Sequence, residues 1–177
     1  NEIMAYTYSN IFKLPCTGLR FFTVYGPYGR PDMALFKFTK NILENKKIEL
    51  FNNGNHARDF TYIDDVINGI FSIINKPKKH KIPFNIFNIG NGNSKKLTEY
   101  IKCIELNLGL KAKIKKLPLQ KGDIKKTRSD ITKLNLYAGY NPKTSINLGI
   151  KKFIDWYKEY YKYWSNFCKS FYYFFWV

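Results

Sequence analysis

Arg20 to Ala34, RFFTVYGPYGRPDMA, restricts the fold of this chain more than any other stretch. A β-rich run, Leu19 to Val24, stops at a Tyr25-Gly26-Pro27 corner, and a second turn, Gly29-Arg30-Pro31-Asp32, follows at once. Proline removes a backbone donor and fixes φ, so the run cannot continue as a strand through that corner. A strand that ends at a Gly/Pro corner and passes into an arginine-bearing loop is how open α/β sheets present groups to a ligand at their carboxyl edge. The same residues also satisfy a plainer description, one strand and two surface turns. Physics alone leaves both standing.

The rest of the chain alternates helices with strands, as a parallel α/β architecture requires. Glu2 to Lys13 has Met4, Ala5, Tyr8, Ile11 and Phe12 at helical spacing and is stopped by Pro15. Leu35, Phe38 and Ile42 predict an amphipathic helix over Ala34 to Glu44, and Ile48 to Phe51 a short strand before the Asn/Gly-rich turn Asn52 to Asn55. Asp64 and Asp65 open a helix that buries Val66, Ile70 and Ile73, where exposed amides favour acidic side chains over a catalytic or metal-binding pair. Phe84 to Ile89 reads as a buried parallel strand between Pro83 and Gly90. Thr98 is the expected N-cap of a helix through Leu106, with Gly109 as its C-cap, and Ser145 opens a helix bearing Ile146, Ile150, Phe153 and Tyr157. Gly90-Asn91-Gly92 follows a strand but carries Lys95 where a dinucleotide loop needs a third glycine, so it reads as an ordinary turn.

Composition narrows the function classes. At 177 residues and 45% apolar content the chain can bury a core, and no apolar run reaches the roughly eighteen residues that cross a bilayer. Cys16, Cys103 and Cys168 are odd in number and lack metal-ligand spacing, which predicts reduced thiols and a cytoplasmic setting without a membrane. His56 and His80 are too isolated to suggest a metal site. A net charge of +17 raises nucleic acid as a partner. The lysines are spread along the whole chain, however, and the densest stretch, Lys111 to Lys133, begins with the alternation of a half-buried strand. A solvated lysine face is the default, so no nucleic-acid partner is expected.

The residue order carries more than the composition does. RFFTVYGPYGRPDMA, Asn55 to Val66 (NHARDFTYIDDV), Phe87 to Asn91 (FNIGN), Gly122-Asp123 with Thr127 and Asp130, and Asn141-Pro142-Lys143-Thr144 through Trp156 occur in one order over roughly residues 1–162. That order resembles the extended short-chain dehydrogenase/reductase (NAD-dependent epimerase/dehydratase) family, and GRPDMA is most similar to its UDP-glucuronate 4-epimerases. The resemblance implies the α/β, carboxyl-terminal part of a Rossmann-type parallel sheet domain (1–30 and 61–95) plus a smaller α/β substrate-binding lobe (31–60 and 96–163). The family's glycine-rich turn and catalytic Tyr-x-x-x-Lys would precede Asn1, and the chain has no initiator methionine. It therefore reads as the carboxyl-terminal half of a longer, homodimeric enzyme, with no catalytic residue of its own. Residues 164–177, WSNFCKSFYYFFWV, extend past the family pattern as an aromatic run, either an interfacial anchor or non-native sequence.

What the resemblance implies for the site follows motif by motif. NAD is the cofactor, with Phe22 and Val24 lining its nicotinamide side, and a UDP-sugar is the substrate. Arg58 meets the diphosphate, because a guanidinium fork matches phosphate oxygens; the alternative is an arginine paired with neighbouring Asp59. Arg30 is a second cation for the substrate or a solvent-facing turn residue. Thr23 stands where a hydroxyl can bond a hexuronate carboxylate. Phe51, with the backbone of Glu49, forms an edge for uracil. Asp123 lies near the ribose hydroxyls or caps its own turn. Gln120 and Lys121 stand where several relatives carry a second clamping arginine.

Overall fold

A left-handed Lys13 (φ 57°) and then Pro15 end the first helix, α1 (Glu2–Phe12), where the sequence places its stop. The computed structural model describes residues 1–74, 76 and 81–163, so the expectations for His80, Cys168 and 164–177 lie outside the described residues. The apolar positions of α1 are uncovered: Ile3, Met4, Tyr8, Ile11 and Phe12 are all exposed, and Ser9 is the residue it buries. One edge of the helix touches the sheet, through Tyr6 against Phe84 and an Arg20–Glu2 ion pair.

The single strand expected over Leu19 to Val24 is two strands with different partners. β1 (Cys16–Phe21) runs parallel to β5 (Phe84–Ile89), whereas β2 (Thr23–Tyr25) runs parallel to β4 (Ala57–Tyr62). The exchange happens at Phe22, whose N–H still donates to Ile89 O at 3.3 Å while its carbonyl accepts from Val24 N–H at 2.9 Å. β4 continues antiparallel to β6 (Ser94–Lys96), and β3 (Lys47–Leu50) pairs parallel with β7 (Lys113–Lys116). Three of these four pairings are parallel, as in a mostly parallel α/β fold.

Five more helices pack on these strands: α2 (Ala34–Leu43), α3 (Ile63–Ile74), α4 (Leu97–Leu108), α5 (Thr132–Ala138) and α6 (Ile146–Tyr160). Leu35, Phe38 and Ile42 are buried on α2, and Ser145 Oγ accepts from Leu148 N–H at 3.3 Å to cap α6, both as read from sequence. Thr98 is not a cap: Lys96 occupies that position with no side-chain bond, and Thr98 lies inside the first turn. Gly109 does close α4, at φ 69°. Phe51 leaves β3 to open a 3₁₀ turn, Phe51–Gly54, in which Asn52 and Asn53 both adopt φ 52°, a region asparagine tolerates. β7 is a strand, as its alternation suggests, but not a half-buried one. All four residues are exposed, Ile114 at 47%, because neither face of this edge strand is covered by the described residues. No helix among the described residues is long and apolar enough to cross a membrane.

Two apolar clusters lie on either side of the β2–β4 ladder. Tyr25, Phe60 and Tyr62 join α2, α4, α6 and β3 in the larger one. Val24 packs instead with Val66, Ile73, Phe87, Ile89, Leu134 and Tyr140 in the smaller one. Successive strand residues point to opposite faces, so Val24 and Tyr25 must serve different cores.

Candidate functional site: a cleft over the larger core

The same period-two rule builds a cleft. Thr23 shares a face with Tyr25, and Arg58 shares one with Phe60 and Tyr62, so both point to the side of the larger core, beyond its edge. On β3, Ile48 and Leu50 are buried while Lys47 and Glu49 turn into the cleft, and Lys115 of β7 stands opposite Glu49. Helix α2 contributes Ala34, Lys37, Phe38 and Asn41, spaced i, i+3, i+4 and i+7 on one stripe. With Phe51, His56, Leu97, Asp123, Asp32 and Met33 these residues enclose a cleft of about 650 Å³.

Four of its charges form two pairs, Arg58 with Asp123 and Lys115 with Glu49. Arg58 Nη2 donates to Asp123 Oδ1 at 3.0 Å, and Nη1 donates to the carbonyl of Ala57 at 3.2 Å. A guanidinium has five N–H donors, so this anchorage fixes the plane of the fork and leaves donors for a ligand. Asp123 Oδ2 lies 3.1 Å from Nε2 of buried His56, which is not aligned to form a hydrogen bond. The Asp123 carboxylate therefore meets residues of β4 and its approach rather than capping its own turn. Lys115 Nζ donates to Glu49 Oε1 at 2.9 Å. Leu50 O accepts from Leu117 N–H, so the alternation of a parallel ladder turns the Glu49 N–H and carbonyl away from β7. Beneath the cleft, the Phe60 and Tyr100 rings stack at 4.0 Å, and burial pushes the Tyr100 phenol well above the usual tyrosine range.

The structure brings Thr23, Glu49, Phe51, Arg58 and Asp123 together and leaves three candidates outside. Arg30 is on the exposed 26–33 loop, where its guanidinium is held by Asp32, Nε to Oδ1 at 3.0 Å. It borders a small cavity of about 30 Å³ that Thr23 also lines. Val24 faces the smaller core and Phe22 sits at the strand exchange, so neither lines the cleft.

Asp59 is not the partner of Arg58. Its carboxylate is fully buried on the opposite face of β4 and accepts from Asn91 N–H (2.6 Å), Gly92 N–H (3.0 Å), Ser129 N–H (2.8 Å), Ser129 Oγ (2.6 Å) and Thr61 Oγ1 (3.2 Å). Those bonds fasten the 90–92 turn and the 129 loop to β4, which holds Arg58 in register. Asp65 likewise does more than complement a helix dipole, accepting from Lys143 and Thr144 N–H at 3.3 and 3.1 Å. Sequence reasoning missed His56, Phe60, Lys37, Lys47 and Lys115 as cleft residues. The α2 stripe and the strand alternation were the signals that could have found the last four.

The profile of the NAD dependent epimerase/dehydratase family matches residues 1–90. Protein CapI of Staphylococcus aureus is 44% identical over 176 residues, covering 92% of this chain and 53% of the relative. UDP-glucuronate 4-epimerase 2 of Arabidopsis thaliana is 42% identical over 175 residues, covering 91% of this chain and 40% of its own length. The crystal structure of a UDP-glucuronic acid 4-epimerase from Bacillus cereus, in complex with UDP-glucuronic acid and NAD, superposes with a TM-score of 0.82 at 35% identity, covering 89% of this chain and 50% of that one. The chain thus spans about half the length of the relatives it matches. Sequence profile, relatives and fold agree: this α/β chain belongs to the NAD dependent epimerase/dehydratase family and has a Rossmann-type fold.

Proposed function

We propose that this chain carries the nucleotide-sugar grip of an NAD-dependent 4-epimerase that interconverts UDP-glucuronate and UDP-galacturonate. The observation that carries the reading is the convergence of Thr23, Glu49, Phe51, Arg58 and Asp123 on one cleft large enough for a nucleotide. In this reading Arg58 holds the diphosphate, Asp123 fixes the Arg58 fork and faces the ribose, and Phe51 with the Glu49 backbone meets uracil. Thr23, at the cleft's inner end beside the Arg30 cavity, meets the hexuronate carboxylate.

Epimerisation at carbon 4 takes a hydride from the sugar, turns the keto sugar over and returns the hydride to its other face. Bound NAD supplies the redox chemistry. Phe22, where the chain leaves the carboxyl end of β1, and Val24 beside it would line one edge of such a cofactor. No Tyr-x-x-x-Lys and no Gly-x-x-Gly-x-x-Gly occurs in its 177 residues, so the proton-accepting base and the pyrophosphate turn are assigned to the other half of the enzyme. What these residues do is bind, orient and discriminate.

The test is turnover by the full-length enzyme, followed by proton NMR of the sugar. Interconversion of UDP-glucuronate and UDP-galacturonate without interconversion of UDP-glucose supports the reading. Turnover of a neutral nucleotide sugar in their place moves the enzyme elsewhere in the family, and absence of UDP binding removes the grip itself.

A further inference from the structure

Arg30 is the proposed substrate cation that the structure leaves outside the cleft, and the loop that carries it is anchored in an unusual way. Residues 26–33 make two successive turns, closed by Gly29 N–H to Gly26 O at 3.2 Å and Met33 N–H to Arg30 O at 3.1 Å. At one end a Cβ on Gly26 would strike Ile63, so the loop lies tight on the start of α3. At the other end Met33 precedes α2. Its inner side presents Asp32 and Met33 to the cleft and Arg30 to the small cavity shared with Thr23. Its outer side is Tyr28.

Tyr28 is 79% exposed and takes φ 58°, a left-handed conformation that is uncommon for a residue with a side chain. Its ring does not enter the cleft. It packs on the outer face of α6, 5.0 Å from the Trp156 ring and 6.4 Å from the Tyr160 ring. Trp156 and Tyr160 are themselves 5.3 Å apart, and Trp156 packs on buried Phe153 at 5.5 Å. The indole Nε1 has no hydrogen-bond partner among the described residues, and Trp156 is held by its place in α6 and by apolar packing on the larger core. The loop is thereby tied to the larger core through a column of rings. An exposed tyrosine in a disfavoured backbone region keeps that conformation when another contact holds it there.

We infer that the Tyr28–Trp156–Tyr160 ring column is a positioning device that sets where Arg30 stands relative to Thr23, and so sets the preference for a sugar carrying a carboxylate over a neutral one. The inference rests on the proposed UDP-sugar function. Tyr28 and Trp156 line neither the cleft nor the small cavity; they act through Arg30. Losing the ring frees the loop, so the Arg30–Asp32 pair no longer has a fixed place from which Arg30 can turn to the carboxylate subsite. The grip on the nucleotide, built on β3 and β4, is untouched.

The experiment compares UDP, UDP-glucose and UDP-glucuronate binding to the full-length protein by calorimetry, in Tyr28→Ala, Tyr28→Phe, Arg30→Ala and the double variant Tyr28→Ala/Arg30→Ala. Tyr28→Ala removes an exposed ring, so the fold survives to be measured. The expected result is an affinity loss of about three- to tenfold for UDP-glucuronate alone, the range one aromatic contact provides. Tyr28→Phe restores the affinity, and the double variant is no worse than Arg30→Ala. Equal loss for all three ligands, no loss for any, or additive losses in the double variant would overturn the inference. Loss of UDP binding in unaltered protein would instead mark failure of the underlying function.

Discussion

Replacing Arg58 with alanine tests the cleft most directly, because the structure sets both sides of the balance. The Arg58 and Asp123 side chains are 21% and 29% exposed, so solvent screens their interactions only in part. In the proposed function the variant removes a charge-assisted, forked contact to the diphosphate. It also leaves Asp123 facing that diphosphate without its cation. Truncating one partner of such a charge pair costs about 2–5 kcal/mol of binding, or about 30-fold to several thousand-fold in UDP affinity. Because both losses add, the upper half of that range is expected. The double variant Arg58→Ala/Asp123→Asn should bind better than Arg58→Ala, since it removes the stranded charge. Arg58→Lys should recover only part, because an ammonium keeps the charge but not the planar fork. The assay is calorimetric titration of UDP at about 0.15 M ionic strength, where exposed charges beyond about 8 Å are largely screened. Circular dichroism of each variant verifies its fold. Lys102→Ala, on the exposed face of α4, is the control for the net charge of +17. Unchanged UDP affinity in Arg58→Ala sinks the reasoning. So does an equal loss in Lys102→Ala, which would trace anion binding to the overall charge.

Gly90→Ala should destabilise the fold by about 1–3 kcal/mol in urea unfolding, since the new Cβ collides with Ser129 and disturbs the Asp59 bonds; a neutral effect would mean the 129 loop yields freely. Burial pushes the Tyr157 phenol up to about 12, against about 10 for an unfolded tyrosine. Above pH 10 the unfolded chain binds fewer protons than the folded one, so this contribution is present below pH 10 and is lost as pH rises from 10 to 12. Tyr157→Phe should flatten that part of the stability profile, and an unchanged profile counts against the assignment. The 177-residue chain by itself should not interconvert UDP-glucuronate and UDP-galacturonate, because general acid–base catalysis alone contributes about a hundred- to ten-thousand-fold and the chain lacks the base; turnover detected by NMR would contradict this. The uncovered apolar side of α1 should make the isolated chain self-associate, so sedimentation showing a monomer at all concentrations would argue that the face is tolerated in water.

Much of the local architecture could be read from residue order because it depends on near neighbours. The buried stripe of α2 follows from side chains three and four apart, the α6 cap from Ser145 and Leu148, and the end of α1 from Pro15. The family followed from motif order, which also singled out Arg58, a residue the structure places in the cleft. What the sequence could not show depends on segments that return from far away. Leu19 to Val24 looks continuous, yet β5 and β4 claim its two halves, and no local pattern records a change of partner. Asp123 reaches Arg58 from 65 residues along the chain, displacing the neighbour Asp59, which bonds instead to a loop 70 residues away. β7 alternates like a half-buried strand but no described residue covers either face, because alternation records which way side chains point and burial requires something to cover them. Periodicity and caps are properties of a few consecutive residues; pairing, charge partners and coverage belong to the whole folded chain.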